Sequence, residues 1–208
     1  MEQFSVTPLY AVPLYQTNLN ELDPAIKQFL ITQVYERMPS GNGDYTVNKN
    51  ILDTTECQTL RDQIQCHIEH FLFDQLQVSK NIKLEIQNSW VNRHAQGDYA
   101  HAHYHRNSVV SGCYYLDTVP DSGEIVFQKD KCFNNLFDTT VDMGFDNAMN
   151  IFNSTYWPVR PTTGDLLLFP SHLAHSVTPN NTNQLRYSLA FNVFPRGNLG
   201  NGTDTILL

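Results

Sequence analysis

The sequence predicts a mainly β fold with N-terminal helices: an antiparallel sandwich or barrel whose helices pack on one outer face. Two patterns and the composition carry this. Apolar residues recur three or four apart in the first 80 positions, the spacing of a one-sided helix. From Lys80 onward, short alternating or apolar runs take over, separated by turns rich in Pro, Asp, Asn and Gly. With 41% hydrophobic and 16% charged residues, the 208-residue chain has enough apolar material for one core. A single domain is expected over 1–208, with a mainly helical part at 1–80, a β core at 81–196 and a tail at 197–208.

Asp23-Pro24 is a helix start, with proline at the first helical position. Ile26, Phe29, Leu30 and Val34 then fall at helical spacing, predicting a helix to about Met38 that the Gly/Asn/Ser-rich stretch 39–50 breaks. Asp53-Thr-Thr-Glu56 reads as a capping box. Behind it Cys57, Leu60, Ile64, Ile68, Phe71, Leu72 and Leu76 predict a helix to about Gln77. His67 and His70 on that helix read as solvated or capping side chains. Leu84, Ile86, Asn88, Trp90 and Asn92 alternate as on a half-buried strand. Further strands are expected at 109–116, 124–128, 165–169 and 186–194. The stretch 131–156 reads as a long loop with at most one strand. Its Phe133, Phe137, Phe145 and Phe152, with Trp157, would either form a lid or complete the core.

The net charge of −8 argues against a partner held by nucleic-acid phosphates. No apolar run reaches the roughly 20 residues of a membrane helix, and the first residues show no secretory signal. Cys57, Cys66, Cys113 and Cys132 include no C-x-x-C pair. Reduced thiols and a cytoplasmic location follow as the expectation. The sequons at Asn153, Asn180 and Asn201 read as chance matches. Homodimerisation stays open.

Histidine carries the chemistry. Of eight histidines, five stand at 101, 103, 105, 172 and 175. In His101-Ala-His103-Tyr-His105 at least two imidazoles share one side of an extended chain. Neutral imidazole is a ligand for Fe, Zn, Cu and Ni, and His172 or His175 would supply a third. Arg186 stands in an otherwise apolar strand, where a buried charge needs an anion. That anion is either a bound carboxylate, which suits the guanidinium fork, or an acid of the chain itself. Ser188, two residues on, faces the same way.

Three blocks between Trp90 and Asn192 resemble the Fe(II)/2-oxoglutarate-dependent oxygenases, closest to a bacterial and phage branch related to prolyl-hydroxylase-like enzymes. They are His103-x-His105-x-x-Ser108-x-x-Ser111-Gly112-x-Tyr114-Tyr115-Leu116, Gly164-Asp165-x-Leu-x-x-Phe169-Pro170-Ser171-x-x-x-His175, and Arg186-x-Ser188-x-x-x-Asn192. The resemblance implies a double-stranded β-helix (a jelly-roll, cupin-like fold) with Fe(II) at its mouth and 2-oxoglutarate and O2 as cosubstrates. It implies His175 as distal ligand, with Arg186 and Ser188 on the remote carboxylate of 2-oxoglutarate. Tyr115 would join that carboxylate, and Asn92 would contact the other end. The implied reaction couples decarboxylation of 2-oxoglutarate to succinate with oxidation of a small-molecule or peptide substrate.

One departure stands out. The superfamily's metal triad is His-x-Asp/Glu…His, yet the acidic slot here holds histidine. The reading favoured is His103, His105 and His175, with His101 at the substrate mouth; His101 with His103 is the alternative. Asp98 and Glu124 are fallback carboxylates. A three-His cupin-like enzyme without 2-oxoglutarate and a non-catalytic jelly-roll module are the rival readings.

Overall fold

The computed structural model describes residues 5–8, 11–39, 42–129 and 150–208. Strand β1 (Tyr15–Asn18) leads into helix α1 (Pro24–Ile31) and a short hairpin of β2 (Tyr35–Arg37) and β3 (Asp44–Thr46). Asp23 caps α1 by accepting from the Ala25 N–H at 2.8 Å. The helix stops at Ile31, short of the Met38 end its periodicity suggests. Thr32 turns its hydroxyl onto the Gln28 carbonyl (2.7 Å), and Tyr35 donates to the Leu30 carbonyl (2.9 Å). The residues beyond pair with β3 instead.

Two 3-10 turns, Ile51–Asp53 and Thr55–Cys57, precede helix α2 (Gln58–Glu69), which continues as a π-helical stretch to Gln75. The expected capping box does not form: α2 starts at Gln58 with Cys57 at its N-cap, and the Asp53 carboxylate, four residues earlier, pairs with Arg61. The apolar stripe is as the spacing predicts, with Leu60, Ile64, Ile68, Phe71 and Leu72 all buried. His67 Nδ1 and the Tyr15 hydroxyl share a hydrogen bond at 2.7 Å, and His70 pairs with Asp74.

The β core follows as β4 (Ile82–His94), β5 (Ala100–His103), β6 (Val110–Asp117), β7 (Ile125–Gln128), β8 (Tyr156–Val159), β9 (Asp165–Pro170), β10 (His175–Val177), β11 (Arg186–Leu199) and β12 (Ile206–Leu207). The larger sheet runs β1-β9-β6-β11-β4-β3-β2, with β12 on the far end of β11; the smaller runs β5-β10-β7-β8. All strand pairings between them are antiparallel. Three strands of the N-terminal part thus join the larger sheet, and the C-terminal tail is tied down by β12. Phe133, Phe137 and Phe145 lie outside the described residues. Phe152 and Trp157 are 46% and 42% exposed, so these two rings do not complete the core.

Two apolar clusters follow from two faces. One face of the larger sheet buries Val91, Leu168, Leu189 and Phe191 against both helices. The other meets the smaller sheet through Tyr115, Ile125, Phe127, Leu167 and Phe169. This is the double-stranded β-helix, with its helices on one outer face.

β4 departs from simple alternation. Leu84 and Ile86 join the helix-facing core, whereas Asn88, Trp90 and Asn92 line the space between the sheets. The switch is a bulge: Asn192 pairs with Asn88 but Val193 with Ile86, leaving Gln87 unmatched. One extra residue flips every side chain beyond it to the other face.

Candidate metal and cosubstrate site

The strand register builds the site in rows. Across β4, β11 and β6, Asn88–Asn192–Ser111, Trp90–Ala190–Cys113 and Asn92–Ser188–Tyr115 stand side by side, and His94 opposes Arg186. Directly opposed residues share a face, and these rows face the smaller sheet; in the first, the Ser111 and Asn192 side chains both meet His105. The resulting cavity of about 420 Å³ takes its other wall from His103, Ile125, His175 and Val177.

One end gathers imidazoles. The ligand atoms of His103, His105 and His175 all lie within 4.8 Å of one another. His103 pairs with His175 across β5 and β10, which explains how residues far apart in sequence meet. Their ring centroids are 4.4 Å apart, and His105 lies 5.4 Å and 5.1 Å from the two. Each ring is held through Nδ1. That nitrogen reaches the His101 carbonyl in His103 (2.7 Å) and the Leu173 carbonyl in His175 (3.0 Å). In His105 it reaches Asn192 Oδ1 at 2.6 Å, which also accepts from the Ser111 hydroxyl at 2.7 Å. A carbonyl accepts only, so Nδ1 carries the proton and Nε2 keeps a free lone pair, the ligating form. Burial, then the nearby His103, pushes His175 down to about 3; burial also lowers His105. Both rings are therefore neutral near pH 7.

The other end is cationic. Arg186 is 2% exposed, and its Nε and Nη1 have no hydrogen-bond partner among the described residues. None of the ion pairs among those residues includes it. Among the described residues, no internal acid neutralises it. The guanidinium carbon lies 5.3 Å from the centre of the Tyr115 ring, whose buried hydroxyl is equally unpartnered. Burial raises the Tyr115 phenol well above its ordinary range, so it stays a donor. Ser188 is buried beside them, and Asn92 is oriented by the Trp90 indole N–H at 2.9 Å.

The remaining expectations divide. His101 is exposed, its ring edge-on to Tyr99 at 4.9 Å, and it does not line the cavity. His172 is exposed. Neither fallback carboxylate joins the imidazoles. Asp98 is bound by Arg37 (2.7 Å) and the Ala95 N–H (2.8 Å), and Glu124 by Arg160 (2.7 Å). Residues that sequence reasoning left without a role also line the cavity: Trp90, whose alternation with Asn92 is a usable signal, and His94, which has none in the local sequence.

Residues 88–192 match the family model described as "Putative 2OG-Fe(II) oxygenase". No curated protein matches the chain in sequence. Among solved structures, the chain is similar to a Pseudomonas putida prolyl-4-hydroxylase at 16% identity and a TM-score of 0.53, covering 87% of this chain and 92% of that one. HygX from Streptomyces hygroscopicus, with nickel and 2-oxoglutarate bound, gives 13%, 0.55, 82% of its own chain and 88% of this one. The epimerase SnoN, in complex with Fe3+, alpha ketoglutarate and nogalamycin RO, gives 16% and 0.60, covering 88% of this chain and 79% of that one. At such identities these likenesses speak for the fold, whereas the family model covers half of the chain and spans the residues described above. The chain belongs to the 2OG-Fe(II) oxygenase family, whose members use Fe(II), 2-oxoglutarate and O2.

Proposed function

We propose that the protein is a 2-oxoglutarate-dependent dioxygenase that hydroxylates a small molecule or a peptide segment. His103, His105 and His175 hold Fe(II). Arg186 binds the remote carboxylate of 2-oxoglutarate with help from Tyr115 and Ser188, and Asn92 meets the opposite end of the cosubstrate. One observation carries the reading: a buried guanidinium that no acid pairs among the described residues lines the same cavity in which three imidazoles gather.

The residues fit both groups. Nδ1–H donation into oxygen acceptors orients each ring and makes its other nitrogen more basic. A buried guanidinium without an anion is costly, so a dicarboxylate that reaches it is bound strongly. The iron, once bound with 2-oxoglutarate and O2, supplies the oxidation chemistry, coupling release of succinate and CO2 to substrate oxidation. The protein's part is to fix the cosubstrate between its two ends and to keep water from the Arg186 end. A triad without a carboxylate carries one less negative charge, which lowers affinity for hard cations. The cavity volume is in the range of small-molecule sites. The three described cysteines are free, which suits a cytoplasmic location.

The test is calorimetric titration under anaerobic conditions. The wild type should bind Fe(II) or Mn(II) and then 2-oxoglutarate. Arg186→Ala should keep the metal and lose 2-oxoglutarate, and His175→Ala should lose the metal. Metal binding with no response to 2-oxoglutarate would favour a three-His cupin-like enzyme.

A further inference from the structure

His94 ends β4 opposite Arg186, on the face that lines the cavity. It is 3% exposed, yet neither ring nitrogen has a hydrogen-bond partner among the described residues. Buried polar groups in a folded protein are nearly always satisfied, so an unpaired imidazole points to a group that arrives later. The His94 backbone is held by Asn180 Nδ2, which donates to its carbonyl at 3.0 Å, and the Cδ2–Nε2 edge of the ring packs against Gly43, where a Cβ would fall 2.5 Å from Cδ2 and 2.8 Å from Nε2. Only a glycine lets the β2–β3 hairpin approach this closely.

Three residues with unpaired polar atoms line one cavity: His94 (Nδ1 and Nε2), Arg186 (Nε and Nη1) and Tyr115 (its hydroxyl). His94 stands directly across the strand pair from Arg186, and the guanidinium carbon lies 5.3 Å from the Tyr115 ring centre. Asp98, the nearest acid in sequence, is occupied by Arg37 and the Ala95 N–H. A carboxylate offers about four lone-pair sites. The guanidinium fork takes two of them and leaves room for neutral donors.

We infer that His94 is a further cosubstrate-binding residue, donating a ring N–H to the remote carboxylate that Arg186 holds. The inference rests on the 2-oxoglutarate reading above. Its ring is neutral, so it adds a directed donor without a second cation beside the guanidinium. Its register with Arg186 places that donor at the remote end of the cosubstrate, away from the imidazole cluster.

A pair of ligands isolates the contact. 2-Oxopentanoate keeps the 2-oxo acid head of 2-oxoglutarate but lacks the remote carboxylate. Calorimetry on Mn(II)-loaded wild type, His94→Phe and His94→Gln should show the Kd for 2-oxoglutarate rising about tenfold or more in the phenylalanine variant, the usual scale for a hydrogen bond to a charged group. The Kd for 2-oxopentanoate should move by no more than about twofold, and glutamine, which keeps an N–H, should recover part of the loss. Equal losses for both ligands, or no loss, would overturn the assignment while leaving the oxygenase reading intact. A wild type that binds metal but not 2-oxoglutarate would overturn both. A second measurement needs no variant. In 15N-histidine protein loaded with Zn(II), 2-oxoglutarate should bring out a hydrogen-bonded His94 ring N–H that 2-oxopentanoate does not. Identical spectra with the two ligands would count against the contact.

Discussion

Asn192 shows how much one side chain decides. Its Oδ1 accepts from His105 and Ser111, and its Nδ2 donates to Asn88 Oδ1 at 2.8 Å. Asn192→Leu removes the acceptor that fixes the His105 tautomer, and metal affinity should fall about 10- to 100-fold, read by competitive chelator titration. Arg186 is held from the opposite side. A Cβ on Gly123, where φ is +105°, would fall 2.6 Å from the Thr178 carbonyl oxygen and 3.1 Å from Arg186 Nη1. Gly123→Ala should therefore weaken 2-oxoglutarate binding while metal binding stays near wild type, checked by the same titrations. An unchanged 2-oxoglutarate Kd would show that the guanidinium tolerates displacement. The metal candidates are legible at this scale, since i, i+2 histidines share a side wherever the chain is extended. His94 is not, because its meaning depends on a cross-strand partner that no local pattern names.

At the scale of elements, legibility follows periodicity. α2 shows itself through its apolar stripe, and β6, β9 and β11 through their apolar runs. β2 and β3 are three residues each and largely polar, too short for a period to register. The capping box fails because two 3-10 turns precede the helix and leave Cys57, not Asp53, at its N-cap, and the bulge at Gln87 leaves no mark in the sequence. That bulge nevertheless puts Asn88, Trp90 and Asn92 on the cavity side. The sheet's other face is equally constrained at Gly112, where a Cβ would fall 2.2 Å from Phe191 Cζ and 2.8 Å from Leu168 Cδ2. Both neighbours are fully buried. Gly112→Ala should cost about 1–3 kcal/mol of stability by overpacking, measured by urea denaturation. A loss much below that would mean that the Phe191 ring can move aside.

The molecule as a whole carries buried imidazoles into acid. Burial first, and the Arg186 charge next, push His94 down to about 4 from an ordinary 6.5. His105 and His175 are lowered in the same direction, chiefly by burial. Between pH 6.5 and 4 the unfolded chain therefore binds more protons than the folded one. The stability that neutral His94 permits is fully present above the upper value and is lost as the pH falls toward the lower. For His94 alone the loss at pH 4 is on the order of 3 kcal/mol. Metal-free wild type should thus lose more stability over this window than His94→Gln, whose side chain does not titrate. The carboxylates shared by the two proteins cancel in that difference. Denaturation midpoints at several pH values from 4 to 7 give the two slopes. Parallel slopes would mean that folded His94 takes up its proton as readily as the unfolded chain does, which a ring sealed between Gly43 and the Arg186 cavity cannot do without opening.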